Sequence, residues 1–148
     1  MKAFHRAALA SLPLQIALYY NCVLYVLFAT LIGAASVQKV LHFNRLISIS
    51  LLVVWTVIEP FRIYLGMKGN MGENVPDTAT YLLMTLFPQL PITFYLAYFQ
   101  PTIFPVDPVL GSIMVIFLLL ELTFGVLLIR KQIHMQTIQF ESSIERLD

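Results

Sequence analysis

Four apolar stretches, each long enough to cross a lipid bilayer, leave this chain little else to fold around. They cover residues 14–37, 46–66, 78–99 and 109–129. At 1.5 Å of rise per residue, a helix of about 20 residues reaches across the ~30 Å hydrocarbon core. Inside lipid the backbone must satisfy its own hydrogen bonds, and a helix does so within one segment. The joining segments are short and carry breakers or charges: 38–45, 67–77 with two glycines and Pro76, and 100–108 with three prolines. The pattern predicts an all-α integral membrane protein. It is a single four-transmembrane-helix bundle over residues 1–148, with short loops and a C-terminal tail over 130–148.

Composition separates this reading from a soluble helical fold. Hydrophobic residues make up 59 % of the chain and charged residues 11 %, less than half the roughly 25 % of an ordinary soluble domain. A net charge of +1 gives no footprint for nucleic acid. The single cysteine, Cys22, lies inside an apolar run and has no partner for a disulfide. His5, His42 and His134 lie far apart without ligand spacing, so neither a metal nor another cofactor is expected. The chain has no Gly-rich phosphate loop, nucleophile elbow or histidine base within a span, so no enzyme is expected.

Lys2 and Arg6 ahead of the first run, and Gly33-Ala34-Ala35 near its end, imitate a secretory signal. The run of about 24 residues is too long for a signal core of 7–15, so it is expected to stay as a span. Basic residues set orientation. The N-terminus (Lys2, Arg6), the second connection (Lys68) and the tail (Arg130, Lys131, Arg146) outweigh Lys39 and Arg45 on the other side. Both termini are therefore expected in the cytosol. As a helix, the tail aligns Ile133, Phe140, Ile144 and Leu147 on one stripe, with Glu141 and Glu145 off it. Such a stripe suits a docking arm, a helix at the membrane surface, or a fraying end.

Three charges inside the spans carry the functional question: Glu59 and Arg62 in the second, Glu121 in the fourth. Each costs roughly 2.5–3.5 kcal/mol at a helix centre on insertion scales. Counting along the spans puts both carboxyls roughly 3–5 Å to the cytosolic side of the midplane. Gln89 in the third span and Asn21 in the first add polar groups at a similar level. Ser48, Thr56, Glu59 and Gly66 share one stripe of the second span, and Gly111, Met114, Leu118, Glu121 and Gly125 one of the fourth. Arg62 is expected to pair with Glu59 at i+3 and to reach for Glu121. Such a layer is either polar glue between helices or an ion or proton pathway, and an acid held by an arginine favours glue. Pro60, Pro88 and Pro91 are each expected to kink or open their helix.

One segment, Ile58-Glu59-Pro60-Phe61-Arg62-Ile63-Tyr64-Leu65-Gly66-Met67-Lys68-Gly69-Asn70, resembles a family signature. It is similar to the Glu-x-x-Arg-Leu-Tyr/Phe-x-Gly-x-x-Gly-Asn motif of the small ciliary tetraspan proteins, transmembrane proteins 17, 80 and 216. Residues 14–21, Glu73, Val75-Pro76, Gln89-Leu90-Pro91 and Arg130-Lys131 also look like the transmembrane protein 17 branch, so the resemblance covers roughly residues 14–131. Pro60 and a shorter N-terminal extension depart from it. The resemblance implies a non-enzymatic scaffold of the ciliary transition zone, supporting ciliogenesis, ciliary gating and Hedgehog-type signalling. It implies partners among tectonics, B9-domain proteins and sister tetraspan proteins, besides membrane lipids, and leaves homo- or hetero-oligomerisation open. Within the signature, Gly66, Gly69 and Asn70 suit a turn with unusual backbone angles that directs Lys68 and Glu73 towards the cytosol. The competing function is a small ion- or proton-coupled transporter built on Glu59 and Glu121.

Overall fold

A computed structural model describes residues 10–43, 46–100 and 102–144. Within them lie four helices long and apolar enough to span a membrane, and no strand. They are α1 (Leu12–Phe43), α2 (Leu46–Met71), α3 (Val75–Phe99) and α4 (Val106–Ile144). Helix α1 packs on α2, α2 on α3, α3 on α4, and α4 back on α1, giving an up-and-down ring. Large apolar side chains cover the outside, among them Tyr19, Val53, Phe61, Leu83 and Leu127. Most of the charged and amide side chains inside the spans point inward. That arrangement suits lipid on the outside.

Two apolar clusters fill the bundle on either side of a polar layer. Phe28, Ile32, Leu52, Trp55, Ile92, Leu96 and Met114 form one. Leu14, Leu18, Tyr81 and Leu128 form the other, at the end where α1 begins and α4 leaves. Both stripes read from sequence face inward: Ser48, Glu59 and Gly66 are buried on α2 with Thr56 half-buried, and Gly111, Met114, Leu118, Glu121 and Gly125 are buried on α4. Gly111 is placed for a close crossing, because a Cβ there would collide with Ala97.

The signature residues Gly66, Gly69 and Asn70 require a correction. They lie within α2, which runs on to Met71, and no glycine among the described residues has positive φ. The turn comes later, and its left-handed residue is Glu73 (φ 51°). The two glycines serve close packing instead. A Cβ on Gly69 would stand 2.7 Å from the Thr78 amide nitrogen, and one on Gly66 would stand 2.9 Å from the Tyr81 ring. Asn70 ties the end of α2 to the start of α1. Its Oδ1 accepts from the Ser11 N–H (2.7 Å), and its Nδ2 donates to Ser11 O (3.0 Å) and Gln15 Oε1 (2.9 Å).

The prolines behave differently from one another. Helix α2 continues through Pro60, whose missing N–H orphans the Thr56 carbonyl. Tyr25 Oη on α1 donates to that carbonyl at 3.3 Å, replacing the lost bond from a neighbouring helix. In α3, Phe87 leaves the helical region (φ −149°, ψ 121°) ahead of Pro88, and wider π-type turns occupy Thr85–Gln89 and Tyr95–Phe99. Pro91 falls in the first turn of the regular stretch Leu90–Phe94, where its missing N–H costs nothing.

Helix α4 is 39 residues long and outruns the bilayer. Its last buried residue is Gln132, whose Nε2 donates to Gly69 O at 3.0 Å. From Ile133 to Ile144 it continues helically with Ile133, Phe140 and Ile144 exposed. The stripe's last member, Leu147, lies outside the described residues, as do Lys2, His5, Arg6, Arg45, Glu145 and Arg146.

Candidate functional site: a buried ion cluster

At the level of the polar layer, Arg62 reaches from α2 towards the bundle axis. The i+3 spacing places Glu59 on the same face, one turn back. Arg62 Nε and Nη2 donate to Glu59 Oε2 (2.8 Å) and Oε1 (2.5 Å), a two-point clamp that fixes the guanidinium plane. Its Nη1 extends to the diagonally opposite helix and donates to Glu121 Oε2 at 2.5 Å. The same Nη1 also donates to Thr85 Oγ1 on α3 (3.1 Å), and the guanidinium lies 5.5 Å from the Tyr81 ring centroid.

Glu121 receives two further donors. Asn21 Nδ2 on α1 donates to Oε1 (2.8 Å), and Tyr81 Oη donates to Oε2 (3.2 Å). The Thr85 hydroxyl completes the closure by donating to the Tyr81 carbonyl (2.8 Å). All four helices therefore meet in one cluster of Asn21, Glu59, Arg62, Tyr81, Thr85 and Glu121, each with 0 % exposure. Four of the five guanidinium hydrogens are placed, three on carboxylate oxygens and one on the Thr85 hydroxyl, and the Tyr81 and Thr85 hydroxyls donate to a carboxylate and a carbonyl. Such dense bonding is what a buried ion group needs to offset its desolvation.

The structure thus joins four of the five polar residues singled out by sequence and leaves one apart. Gln89 is fully buried, but both ends of its amide lack a hydrogen-bond partner. It sits at the end of the broken turn of α3, between the Arg62–Thr85 contact and the next cross-link, where Trp55 Nε1 donates to Thr93 Oγ1 at 3.0 Å. Tyr81 and Thr85 escaped the sequence reading because a tyrosine or threonine in an apolar run carries no sign of which way it points. Their i, i+4 spacing was the only available clue.

A second ionic network lay hidden in the connections. Helix α1 extends beyond residue 37 and buries Lys39, while α4 begins at Val106 and buries Asp107 in its first turn. Lys39 Nζ pairs with Asp107 Oδ2, donates to Gln100 Oε1 (2.8 Å) and lies 5.1 Å from the Phe104 ring centroid. Asp107 also accepts from the Phe104 N–H at 2.8 Å, reaching back from the first turn of α4 to the chain that enters it. Among the described residues, no three His, Cys, Asp or Glu side chains converge as metal ligands.

A family model described as "Predicted membrane protein", that of transmembrane protein 17, matches residues 16–118, well over half of the chain. The chain belongs to the transmembrane protein 17 family. Transmembrane protein 17 of Homo sapiens is 29 % identical over 135 residues, covering 88 % of this chain and 68 % of its own length. Transmembrane protein 17A of Xenopus tropicalis is 32 % identical over 133 residues, covering 82 % and 67 %. No solved structure matches significantly. Neither the family description nor these names carry an enzymatic activity. The stretch matching the transmembrane protein 17 family contains Asn21, Glu59, Arg62, Tyr81 and Thr85 but ends before Glu121.

Proposed function

We propose that the chain is a non-enzymatic membrane scaffold of the ciliary transition zone. It works there beside tectonics, B9-domain proteins and sister tetraspan proteins, supporting ciliogenesis and the gating of ciliary membrane proteins. The ciliary part rests on the family resemblance. The observation that carries the scaffold part is the densely hydrogen-bonded Arg62 cluster joining all four helices. A rigid interior held by directional bonds suits a protein whose work is done by its outer faces.

Two further features support this reading. Lys39, one of the two basic residues that the sequence assigns to the far side, is paired to Asp107 inside the bundle, which supports cytosolic termini. The helix that runs past Gln132 then projects into the cytosol. Its exposed Ile133, Phe140 and Ile144 form an arm for a soluble partner.

Expansion microscopy of the endogenously tagged protein against axoneme and basal-body markers tests the proposal. A ring confined to the base of the cilium is expected. Staining across endomembranes or the whole plasma membrane would overturn it.

One observation favours the transporter reading: two carboxylates surround a single guanidinium, leaving one buried negative charge for a cation to neutralise. Proteoliposome flux that disappears in Glu59→Gln would establish that reading in place of the scaffold.

A further inference from the structure

The charges inside the bundle do not balance. Glu59, Arg62 and Glu121 all have 0 % exposure and lie in one hydrogen-bonded group, two acids to one base. Polar groups face this cluster from every helix around it, and the charged ones come from α2 and α4. Helix α1 contributes only the neutral Asn21, α2 contributes Glu59 and Arg62, α3 contributes Tyr81 and Thr85, and α4 contributes Glu121. The next ion pair towards the chain ends, Lys68 with Asp77 (3.0 Å), is partly exposed and balanced in itself. An uncompensated charge in a bundle core is strongly disfavoured, so the group needs one more positive charge.

The hydrogen-bond pattern selects the kind of charge and its place. A metal ion between the carboxylates would have to occupy the space already filled by Arg62 Nη1, which stands 2.5 Å from Glu121. A proton needs no space. Glu59 is not its seat, because both oxygens are held in the two-point clamp of an ionised carboxylate. Glu121 gives only Oε2 to Arg62, and its Oε1 faces the Asn21 amide at 2.8 Å.

Asn21 supplies the second observation. It has 0 % exposure, and its Oδ1 has no hydrogen-bond partner. Exchanging the two ends of an amide leaves its shape unchanged. In the exchanged orientation Oδ1 would stand where Nδ2 now donates, as an acceptor for a hydrogen on Glu121 Oε1. The amide nitrogen would take the position where Oδ1 now has no hydrogen-bond partner.

The geometry points to a bound proton shared between Glu121 Oε1 and Asn21 Oδ1, which makes the Glu59–Arg62–Glu121 cluster electrically neutral. The cluster then contains one ionised pair, Glu59 with Arg62, and one neutral acid–amide pair that links α4 to α1. Tyr81 Oη and Arg62 Nη1 still donate to Glu121 Oε2, which is now the carbonyl oxygen of the acid. The inference concerns the bundle interior and does not depend on the ciliary reading.

Infrared difference spectroscopy of the full-length protein in lipid at neutral pH, with ¹³C-carboxyl glutamate, tests it directly. The wild type should show the carbonyl stretch of a protonated glutamic acid, shifted by the label and slow to exchange in D₂O. Glu121→Gln should abolish the band. Glu59→Gln should abolish it too, because a single carboxylate then faces Arg62 and needs no proton. A wild-type spectrum without a labelled acid band would overturn the inference, and it requires no variant to fold. Persistence of the band in Glu121→Gln, or at full strength in Glu59→Gln, would overturn it as well.

Discussion

Among the described residues the bundle contains two buried ionic networks, and they differ in charge count, reach and visibility. The inner one sets Arg62 against two carboxylates and draws a side chain from every helix. The far one sets Lys39 against Asp107 alone, aided by Gln100 and the Phe104 ring. The inner group is close to saturated, with Asn21 Oδ1 its single open acceptor, whereas at the far end Asp107 Oδ1, Thr102 Oγ1 and Ser36 Oγ lack partners. The difference teaches where register is set. A guanidinium with fixed donor directions holds helices at one rotation, while a lysine on a flexible stem tolerates several. The inner network therefore specifies the bundle, and the far one closes its end.

Removing the base is the most severe way to break that comparison. Arg62→Met leaves two buried carboxylates with nothing between them, and loss of one partner of a buried pair costs about 3–5 kcal/mol. Thermal unfolding in detergent should show the largest loss of any substitution named here. Adding Glu59→Gln and Glu121→Gln to Arg62→Met should recover most of it. If the triple variant were no better than Arg62→Met, the loss would come from packing of the arginine stem and not from charge.

Lys39→Met should cost less, about 3 kcal/mol at the lower end of the same range, because Asp107 sits near the end of the helices where water can reach a freed carboxylate. Asp107→Asn added to Lys39→Met should restore stability, since an amide oxygen can still accept from the Phe104 N–H. A larger loss in Lys39→Met than in Arg62→Met, measured on the same unfolding scale, would reverse the ranking of the two networks.

How much of this was legible in the sequence follows from the same contrast. Glu59, Arg62 and Glu121 stood out because charges inside apolar runs have few tolerable positions, and their helical spacing already put them on inward stripes. Lys39 and Asp107 did not, because they border breaker-rich connections where charge is ordinary. Only the true ends of α1 and α4 reveal that both are buried. The misreading of Gly66, Gly69 and Asn70 as a turn has a related cause. Glycine serves both for left-handed backbone and for close helix contact, and sequence alone does not say which is used. At Pro60 the sequence could not show what meets the freed Thr56 carbonyl, because the Tyr25 hydroxyl that does so belongs to another helix.

Close packing gives the next largest effect. At Gly111 a methyl group would meet Ala97 on α3, and overpacking of this kind costs about 1–3 kcal/mol. Gly111→Ala should lower the unfolding temperature, and Ala97→Gly in the same chain should recover part of the loss by vacating the contested space. Absence of any recovery would mean that α3 and α4 do not cross at this point.

The smallest effect has the opposite sign, and it tests whether burial alone makes a polar residue part of the glue. Gln89 is as buried as Arg62, yet neither end of its amide has a partner. Leaving a buried amide unsatisfied costs about 1–3 kcal/mol, so an apolar residue of similar size should be tolerated or preferred. Gln89→Leu is expected to leave stability unchanged or to raise it by up to about 1 kcal/mol once the shape mismatch is subtracted. The adjacent Trp55–Thr93 bond should persist, because it does not pass through the Gln89 side chain. Tryptophan fluorescence in the same unfolding experiment reports on that bond. A clear loss of stability in Gln89→Leu would show that this amide is bonded in the membrane after all, and the polar layer would then include all five of the residues that the sequence singled out.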